Sequence, residues 1–304
     1  MNSPSEIFDR RLLAQRRARA AAAHQPLPDF LLERVADDFA ERLSIVRREF
    51  PVAVNLGAHN EVVARALAPL GNVGQLIAVE LSPQSVPPGT CAVAADEEAL
   101  PFAQASLDLV VSGLSLQLVN DLPGALVQIR RALKGDGLFL GALLGGSTLR
   151  ELREAWLVAE DEITGGASPR VAPFADVRDL GSLLQRAGFA LPVVDSDTVT
   201  VTYPSAMNLM REVKAMGASN MLTARRRVPV TRGLLFRACE VYRDRFDKGG
   251  RVPATFEIIT LTAWAPHESQ PKPLRPGSAQ HRLADVLGVK EQDFKKPDHK
   301  RGAG

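Results

Sequence analysis

The sequence is poor in cysteine, and its two cysteines form no local motif. Cys91 and Cys239 lie far apart and belong to no CxxC pair. A chain with so few thiols is typical of a reducing compartment, where disulfides rarely persist. We therefore expect both residues to be reduced thiols in the core, and the pattern argues against a disulfide-stabilised fold.

Long apolar runs and a strong net charge are also missing. No run approaches the roughly 20 apolar residues that a membrane-spanning helix needs. The net charge is only +2, from 37 basic and 35 acidic residues among 304, so charge does not indicate a nucleic-acid partner. We expect a cytoplasmic protein without a transmembrane segment. Peripheral contact with a membrane surface stays open.

Basic residues are concentrated near the two ends of the chain. The segments 9–24 and 295–304 are rich in arginine and lysine, and such ends are more often solvated tails than binding sites. The first segment resembles a transit peptide in its arginine and alanine content, but Glu6 and Asp9 and the missing apolar core argue against that interpretation.

What the sequence does contain is an alternation of short apolar segments with amphipathic ones. The strand candidates are 52–56, 75–81, 91–102, 106–119 and 137–146, and the helix candidates between and before them are 29–48, 61–70 and 122–133. Strands that alternate with helices build a parallel sheet through right-handed crossovers, with helices on both faces. The sequence therefore predicts an α/β fold.

After Gly146 the rhythm changes to longer helices and two isolated strands. We predict helices at 147–163, with Ser147 as N-cap, 176–189, 204–217 and 231–246, and strands at 191–203 and 255–266. This predicts a helical N-terminal segment at 1–50, a main domain at 51–266 with a helical insertion or cap at about 147–250, and a largely irregular tail at 267–304.

Three residues follow successive strands at the edge where open α/β sheets bind ligands. Gly57 follows the first strand, Glu80 the second and Asp96 the third. Glycine lets a backbone approach a ligand, and the two carboxylates can accept hydrogen bonds from ribose hydroxyls and from an adenine amine. The alternative is that all three residues are structural. Gly57 would form a tight turn, Glu80 would face a helix dipole, and Asp96 would be a solvated charge. Glu97 and Ser112 are further candidates at this edge.

Several segments together resemble one known family. They are ADEEALPF (95–102), SLQLVNDL (115–122), MGASN (216–220) and HESQ (267–270). The chain resembles the class I S-adenosylmethionine-dependent methyltransferase fold, and within it the family of mitochondrial complex I assembly factor 5 and its bacterial relatives, over about residues 7–279. More distantly, it is similar to the biotin-pathway carboxyl methyltransferase.

The resemblance implies a Rossmann-like, seven-stranded, mostly parallel sheet that binds S-adenosylmethionine. It also implies a protein partner, a subunit of respiratory complex I, one arginine of which the mitochondrial member hydroxylates. Ser219 and Asn220 belong to the segment 216–220, which is either a plain helix C-cap with a turn or, as the resemblance implies, a loop on the substrate side. Gln117 is either a hydrogen-bonding partner of the substrate or a polar loop residue. The segment FDRR begins at residue 8, so we expect no presequence and a bacterial-type protein.

The cofactor loop departs from the family pattern of acid-x-Gly-x-Gly. This chain has Asn55 in place of the acid and His59 in place of the second glycine. Asn55 lacks the charge that would pair with the methionine ammonium, and His59 adds a side chain where the cofactor would approach. Leu118 stands in place of the family's aromatic residue. Because Glu80 and Asp96 are intact, we predict that cofactor binding is retained but weakened.

Three functions remain open at this point. The first is an enzyme that modifies a complex I subunit; methyl transfer needs little more than alignment, because the sulfonium is already activated. The second is a non-catalytic assembly module with a degenerate cofactor loop. The third is a small-molecule carboxyl methyltransferase. His59-Asn60-Glu61 is a partial match to an iron oxygenase triad, but its third ligand is unidentified, so we predict no metal site.

Overall fold

The computed structural model describes residues 6–22, 28–82, 86 and 89–271. The helices are α1 (Arg10–Ala22), α2 (Phe30–Ile45), α3 (Val62–Leu67), α4 (Leu122–Ala132), α5 (Arg150–Thr164), α6 (Val177–Arg186), α7 (Ala206–Ala215) and α8 (Arg232–Phe246). The strands are β1 (Phe50–Leu56), β2 (Val73–Glu80), β3 (Ala92–Ala94), β4 (Leu107–Gly113), β5 (Leu133–Leu144), β6 (Ala190–Tyr203) and β7 (Val252–Trp264).

Seven strands of this described part form one sheet in the order β3-β2-β1-β4-β5-β7-β6. The first five are parallel to their neighbours, and β7 runs antiparallel between β5 and β6. The strand order reverses between β1 and β4, which is where ligands of such sheets bind. The predicted seven-stranded, mostly parallel α/β sheet is confirmed.

The two faces of the sheet bury separate apolar cores, because successive strand residues point to opposite sides. Ala53 belongs to the core under α2, α5 and α8, whereas Val54 belongs to the core under α4 and α6. Phe39 of α2 and Ile129 of α4 are both fully buried. Burial on both faces explains why β1 and β4 are almost continuously apolar.

Helix α1 contradicts the prediction of a solvated N-terminal tail. Leu13 and Arg17 are buried, and Leu13 packs with Phe8, Met221 and Leu222 in a small third cluster. The backbone N–H of Phe8 donates to Asn120 Oδ1 over 2.8 Å. The basic run thus docks on the protein, because one face of its helix has partners that are distant in the sequence.

Some predicted boundaries and environments were wrong. Strand β3 is only three residues long, and α5 begins at Arg150 after Leu149, whose φ is +53°, so Ser147 is not its N-cap. Cys91 is exposed, not in the core. The chain divides after His267 into two units, and the predicted tail lies outside the described residues from 272 onward.

None of the helices in the described ranges combines the length and the apolar character needed to cross a membrane.

Candidate functional site

The loop after β1 brings Gly57 against the protein itself. Its N–H donates to Val79 O over 2.8 Å, its φ is +80°, and a Cβ at this position would lie 2.2 Å from the Cβ of Ser115. Glycine is the residue that adopts this conformation at little cost and leaves that space. The sequence predicted a close approach of a cofactor here, and the structure also requires glycine for packing against Ser115.

Glu80, at the carboxyl end of β2, is paired with an arginine of α1. Its side chain is buried, and Nη1 of Arg17 donates to both carboxylate oxygens over 3.0 Å. The N–H of Ser82 is a third donor, at 3.3 Å. Burial raises the pKa of Glu80 above its usual value, although Arg17 opposes that shift.

Glu97 lies beside this pair and is also buried. Its Oε1 accepts from Ser115 Oγ over 2.5 Å and lies 3.7 Å from Arg17 Nη1, while its Oε2 contacts Arg10. Burial by itself would raise the pKa of Glu97, but the two guanidinium groups and Ser115 hold it below its usual value. Asp96 is partly exposed and accepts from Arg10 over 2.7 Å.

Sequence reasoning missed both arginines and Ser115 as members of this site. The signal for the arginines was present, because Arg10 and Arg17 are seven residues apart and therefore lie on one face of a helix. The basic character of the segment predicts a solvated tail instead. The end of β2, two loops and a helix thus assemble a largely buried cluster of three acids, two arginines and a serine where the strand order of the sheet reverses.

Two of the predicted site residues lie inside the sheet. Asn55 is buried and pairs in register with Ala78 of β2 and Val111 of β4. Ser112 is fully buried, and its Oγ donates to Leu56 O over 3.0 Å. The contact of Ser112 ties β4 to β1, which is a structural role.

A cavity of about 610 Å³ lies beside the acid cluster. Its volume is in the range of small-molecule sites, and its walls are largely apolar, with Trp156, Phe174 and Phe256 among them. Polar side chains in its lining belong to Arg17, Asp29, His59, Gln117, Arg170, Lys214, Ser219 and Asn220. Glu80 and Glu97 are not in the lining, since Arg17 lies on the cavity side of them.

The three residues predicted for the substrate side all line this cavity. Gln117 donates from Nε2 to Leu114 O over 2.7 Å, and its Oε1 is buried without a partner among the described residues. Asn220 donates to Pro169 O over 2.7 Å, and the carbonyl of Ser219 accepts from Arg16. The segment 216–220 therefore connects α1 to the cavity wall.

Another buried acid, Glu160, holds an arginine against the cavity. Glu160 is fully buried and accepts from the N–H and Oγ of Ser168 and from Nε of Arg170 over 2.6, 2.9 and 2.9 Å. The guanidinium of Arg170 stacks on Trp156 at 4.8 Å from the ring centroid. No motif in the sequence marks this unit, because its members are joined only by the fold.

His59 lines the cavity next to Arg17, and its Nδ1 lies 3.0 Å from Gly57 O. Burial, and then the charge of Arg17, lower the pKa of His59 to about 4. The imidazole is therefore neutral at neutral pH. No group of three His, Cys, Asp or Glu side chains in the described ranges is arranged to hold a metal ion.

The lowered pKa of His59 predicts an acid-sensitive fold. Below about pH 6.5 the unfolded chain takes up a proton that the folded chain accepts only near pH 4, so the free energy of unfolding falls across this window, by about 3 kcal/mol at most. His59→Gln should remove that part of the loss. Urea unfolding at about pH 7 and about pH 4.5 measures it. The exposed His267 provides the control, His267→Gln; equal pH dependence in both variants would contradict the prediction.

Comparison with known proteins identifies the family. Residues 54–141 match the model of a methyltransferase domain. The human arginine-hydroxylase NDUFAF5, mitochondrial, is 42% identical over 283 residues, covering 90% of this chain and 81% of that protein. The rat protein is 40% identical over 295 residues, with 94% and 85% covered. A malonyl-[acyl-carrier protein] O-methyltransferase of Halorhodospira halophila is 35% identical over 302 residues, with 95% and 98% covered.

Solved structures support the same fold. YcgJ from Bacillus subtilis superimposes with a TM-score of 0.53 at 14% identity and covers 76% of this chain and 98% of its own. A putative methyltransferase from Bacillus halodurans gives 0.51 at 16% identity, with 76% and 99% covered. The resemblance to the NDUFAF5 family, and the more distant one to the carboxyl methyltransferases, are confirmed. The protein has the class I S-adenosylmethionine-dependent methyltransferase fold and belongs to the family of the arginine-hydroxylase NDUFAF5.

Proposed function

We propose that this protein is an S-adenosylmethionine-binding enzyme that acts on an arginine side chain of a protein partner. The observation that carries the proposal is the buried carboxylate of Glu80 at the end of β2, with Asp96 and Glu97 beside it and a cavity next to them. Acids at these two strand ends are what an adenosine ligand of this fold needs.

The two carboxylates suit the cofactor as hydrogen-bond acceptors. Glu80 would accept from the two ribose hydroxyls, and Asp96 from the adenine amine. When bound, S-adenosylmethionine supplies a sulfonium-activated methyl group, which methyl transfer would consume and hydroxylation would not. Neutral Asn55 and His59 give the methionine ammonium no anionic partner, which supports weakened binding. Glu80 and Asp96 support the retention of binding.

The substrate side of the cavity offers acceptors for a guanidinium group. The buried Oε1 of Gln117 has no partner in the part of the chain that the structure describes, and the carboxylate of Asp29, which accepts from Asn60, also lines the cavity. Arg17 and Arg170 are already paired with carboxylates of the chain. An arginine side chain brings five N–H donors, so it would satisfy the acceptors that remain.

The family favours hydroxylation of that arginine, since this is the activity that the NDUFAF5 relatives are named for. Insertion of one oxygen atom into a C–H bond consumes dioxygen and a two-electron reductant and releases water, so both would enter as co-substrates. In accordance with the resemblance, we propose a subunit of respiratory complex I as the protein partner and the inner face of the respiratory membrane as the location.

Calorimetric titration of the full chain with S-adenosylmethionine tests the cofactor part of the proposal. We expect micromolar binding, on the order of −8 kcal/mol. Glu80→Ala should abolish this binding, because it removes the carboxylate that would accept from both ribose hydroxyls. Glu33→Ala, at an exposed acid of α2, is the matched control. Absence of binding by folded wild-type protein at millimolar ligand would contradict the proposal and favour a non-catalytic assembly module.

A second candidate, a carboxyl methyltransferase, is favoured by one observation. The guanidinium of Arg170, fixed by Glu160 and Trp156, borders the cavity together with the exposed ammonium group of Lys214. These cations would orient a substrate carboxylate. Mass spectrometry of the reaction products separates the candidates: an added oxygen atom on a peptide arginine supports the first, and an added methyl group on a carboxylate supports the second.

A further inference from the structure

We propose that helix α1 is an internal latch on the cofactor site: Arg17 occupies the carboxylate of Glu80, so S-adenosylmethionine binds there only after α1 has released it. The inference rests on the proposed function, because it concerns the same carboxylate. It adds that the chain carries its own competitor for the cofactor.

The contacts of Arg17 span the part of the sheet that an adenosine would occupy. Nη1 reaches both oxygens of Glu80 at 3.0 Å, and Nη2 donates to Ser115 Oγ over 3.1 Å. Ser115 in turn donates to Glu97 over 2.5 Å. One guanidinium group thus links the end of β2 to the segments that follow β3 and β4, across the switch point of the sheet.

The position of Arg17 also closes the route to Glu80. The cavity is lined by Arg17 and His59, while Glu80 and Glu97 lie behind them and do not border it. The side chains of Arg17 and Glu80 are 5% and 0% exposed. A ribose that donates to both oxygens of Glu80 would need the positions that Nη1 now holds, so the two partners exclude each other.

The remaining contacts of α1 with the described residues, among them Arg16 on the carbonyl of Ser219, lie outside both main cores. Leu13 packs in a cluster of four buried residues that is separate from both large cores. The second ionic anchor is Arg10, which contacts Glu97 and Asp96 and donates to Leu118 O over 3.1 Å. In a buried ion pair, the attraction between the two charges roughly equals the free energy lost by desolvating them. The ion pairs of α1 can therefore hold the helix in place and still allow its release.

The latch predicts that removal of Arg17 tightens cofactor binding. When only a fraction of molecules is competent, the apparent dissociation constant rises by the inverse of that fraction. We expect Arg17→Gln to lower the dissociation constant for S-adenosylmethionine by about tenfold or more. Arg19→Gln, at an exposed arginine of the same helix, should leave it unchanged. Equal or weaker binding by folded Arg17→Gln, with binding intact in the wild type, would overturn the latch and leave the proposed function standing.

Hydrogen exchange of the wild-type full chain gives a readout that does not depend on a substitution at the site. Saturating S-adenosylmethionine should speed the exchange of α1 amides and slow that of the loop after β1. Greater protection of α1 would show a helix that closes over the cofactor, and would overturn the proposal.

Failure of the proposed function is recognised separately. If no variant binds S-adenosylmethionine, the cofactor assignment is wrong, and the latch is judged on Glu80→Gln without ligand. Faster exchange of α1 in Glu80→Gln, with the sheet amides unchanged, supports an ionic latch. Unchanged exchange of α1 overturns it.

Discussion

Replacement of Gly57 by alanine is expected to destabilise the protein by about 2–5 kcal/mol, from two additive causes. The backbone has φ +80°, where a Cβ costs about 1–2 kcal/mol. The same Cβ would lie 2.2 Å from both Cβ and Oγ of Ser115, and relief of such overpacking costs about 1–3 kcal/mol. Urea unfolding, compared at the transition midpoint, measures the loss.

Gly165 separates the two causes. It has φ +68° at the end of α5, and nothing lies within 4 Å of its added Cβ. Gly165→Ala should therefore show only the backbone strain. In the pair Gly57→Ala/Ser115→Gly, removal of the Ser115 Cβ should recover part of the loss, giving a coupling energy that independent sites lack. Equal losses for the two glycines, without coupling to Ser115, would contradict the packing argument.

The edge of the sheet that carries Gly57 and Glu80 was predictable because it depends on local patterns. Each apolar strand ends at a recognisable residue, and parallel strands bring their carboxyl ends to one edge, so Gly57 and Glu80 were placed together from the sequence. The groups that neutralise the acids were not predictable in this way. Arg10 and Arg17 reach them across 63 to 87 residues of sequence, and a basic run gives no local sign of a buried partner.

The misjudged elements have similar causes. The segment 91–102 reads as a strand, but only Ala92–Ala94 pairs, because the acids that follow turn toward the arginines of α1. Strand β5 begins earlier than predicted, at Leu133, because Leu133 pairs with Leu107 of β4. The glycines and charges of the segment 134–137 follow this first pair at one end of the strand. In both cases tertiary contacts decide where the strand pairs.

The histidine in the loop after β1 is compatible with the neighbouring Arg17 only in its neutral form. A cationic imidazole at position 59 would be repelled by that guanidinium, and Arg17 contributes to the low pKa that keeps His59 neutral. Arg17 is paired with Glu80 and lies 3.7 Å from Glu97. The neutral imidazole and the paired arginine from α1 therefore form one electrostatic arrangement, whose members are far apart in the sequence.

Replacement of Glu160 by alanine is expected to cost about 3–5 kcal/mol, because it breaks a buried ion pair and leaves its partners unpaired. Glu160 accepts from Arg170 and twice from Ser168, and its side chain is fully buried. The N–H of Ser168 and the guanidinium of Arg170 would lose their acceptor. Burial works against the ionised form of Glu160, but the hydrogen bonds from Ser168 and Arg170 prevail and hold its pKa below the usual value.

Glu162, two residues further along the same helix, is the matched control. It pairs with Arg237 at 2.6 Å, but its side chain is 43% exposed, so Glu162→Ala should change the free energy of unfolding little. In Glu160→Ala/Arg170→Met no buried charge is left unpaired, and we expect much of the stability to return. The double variant would at the same time lack the cation beside the cavity. If the double variant still turns over a carboxylate substrate, Arg170 is not the anchor of that substrate. If the double variant is folded and stable but has lost this turnover, Arg170 has that role.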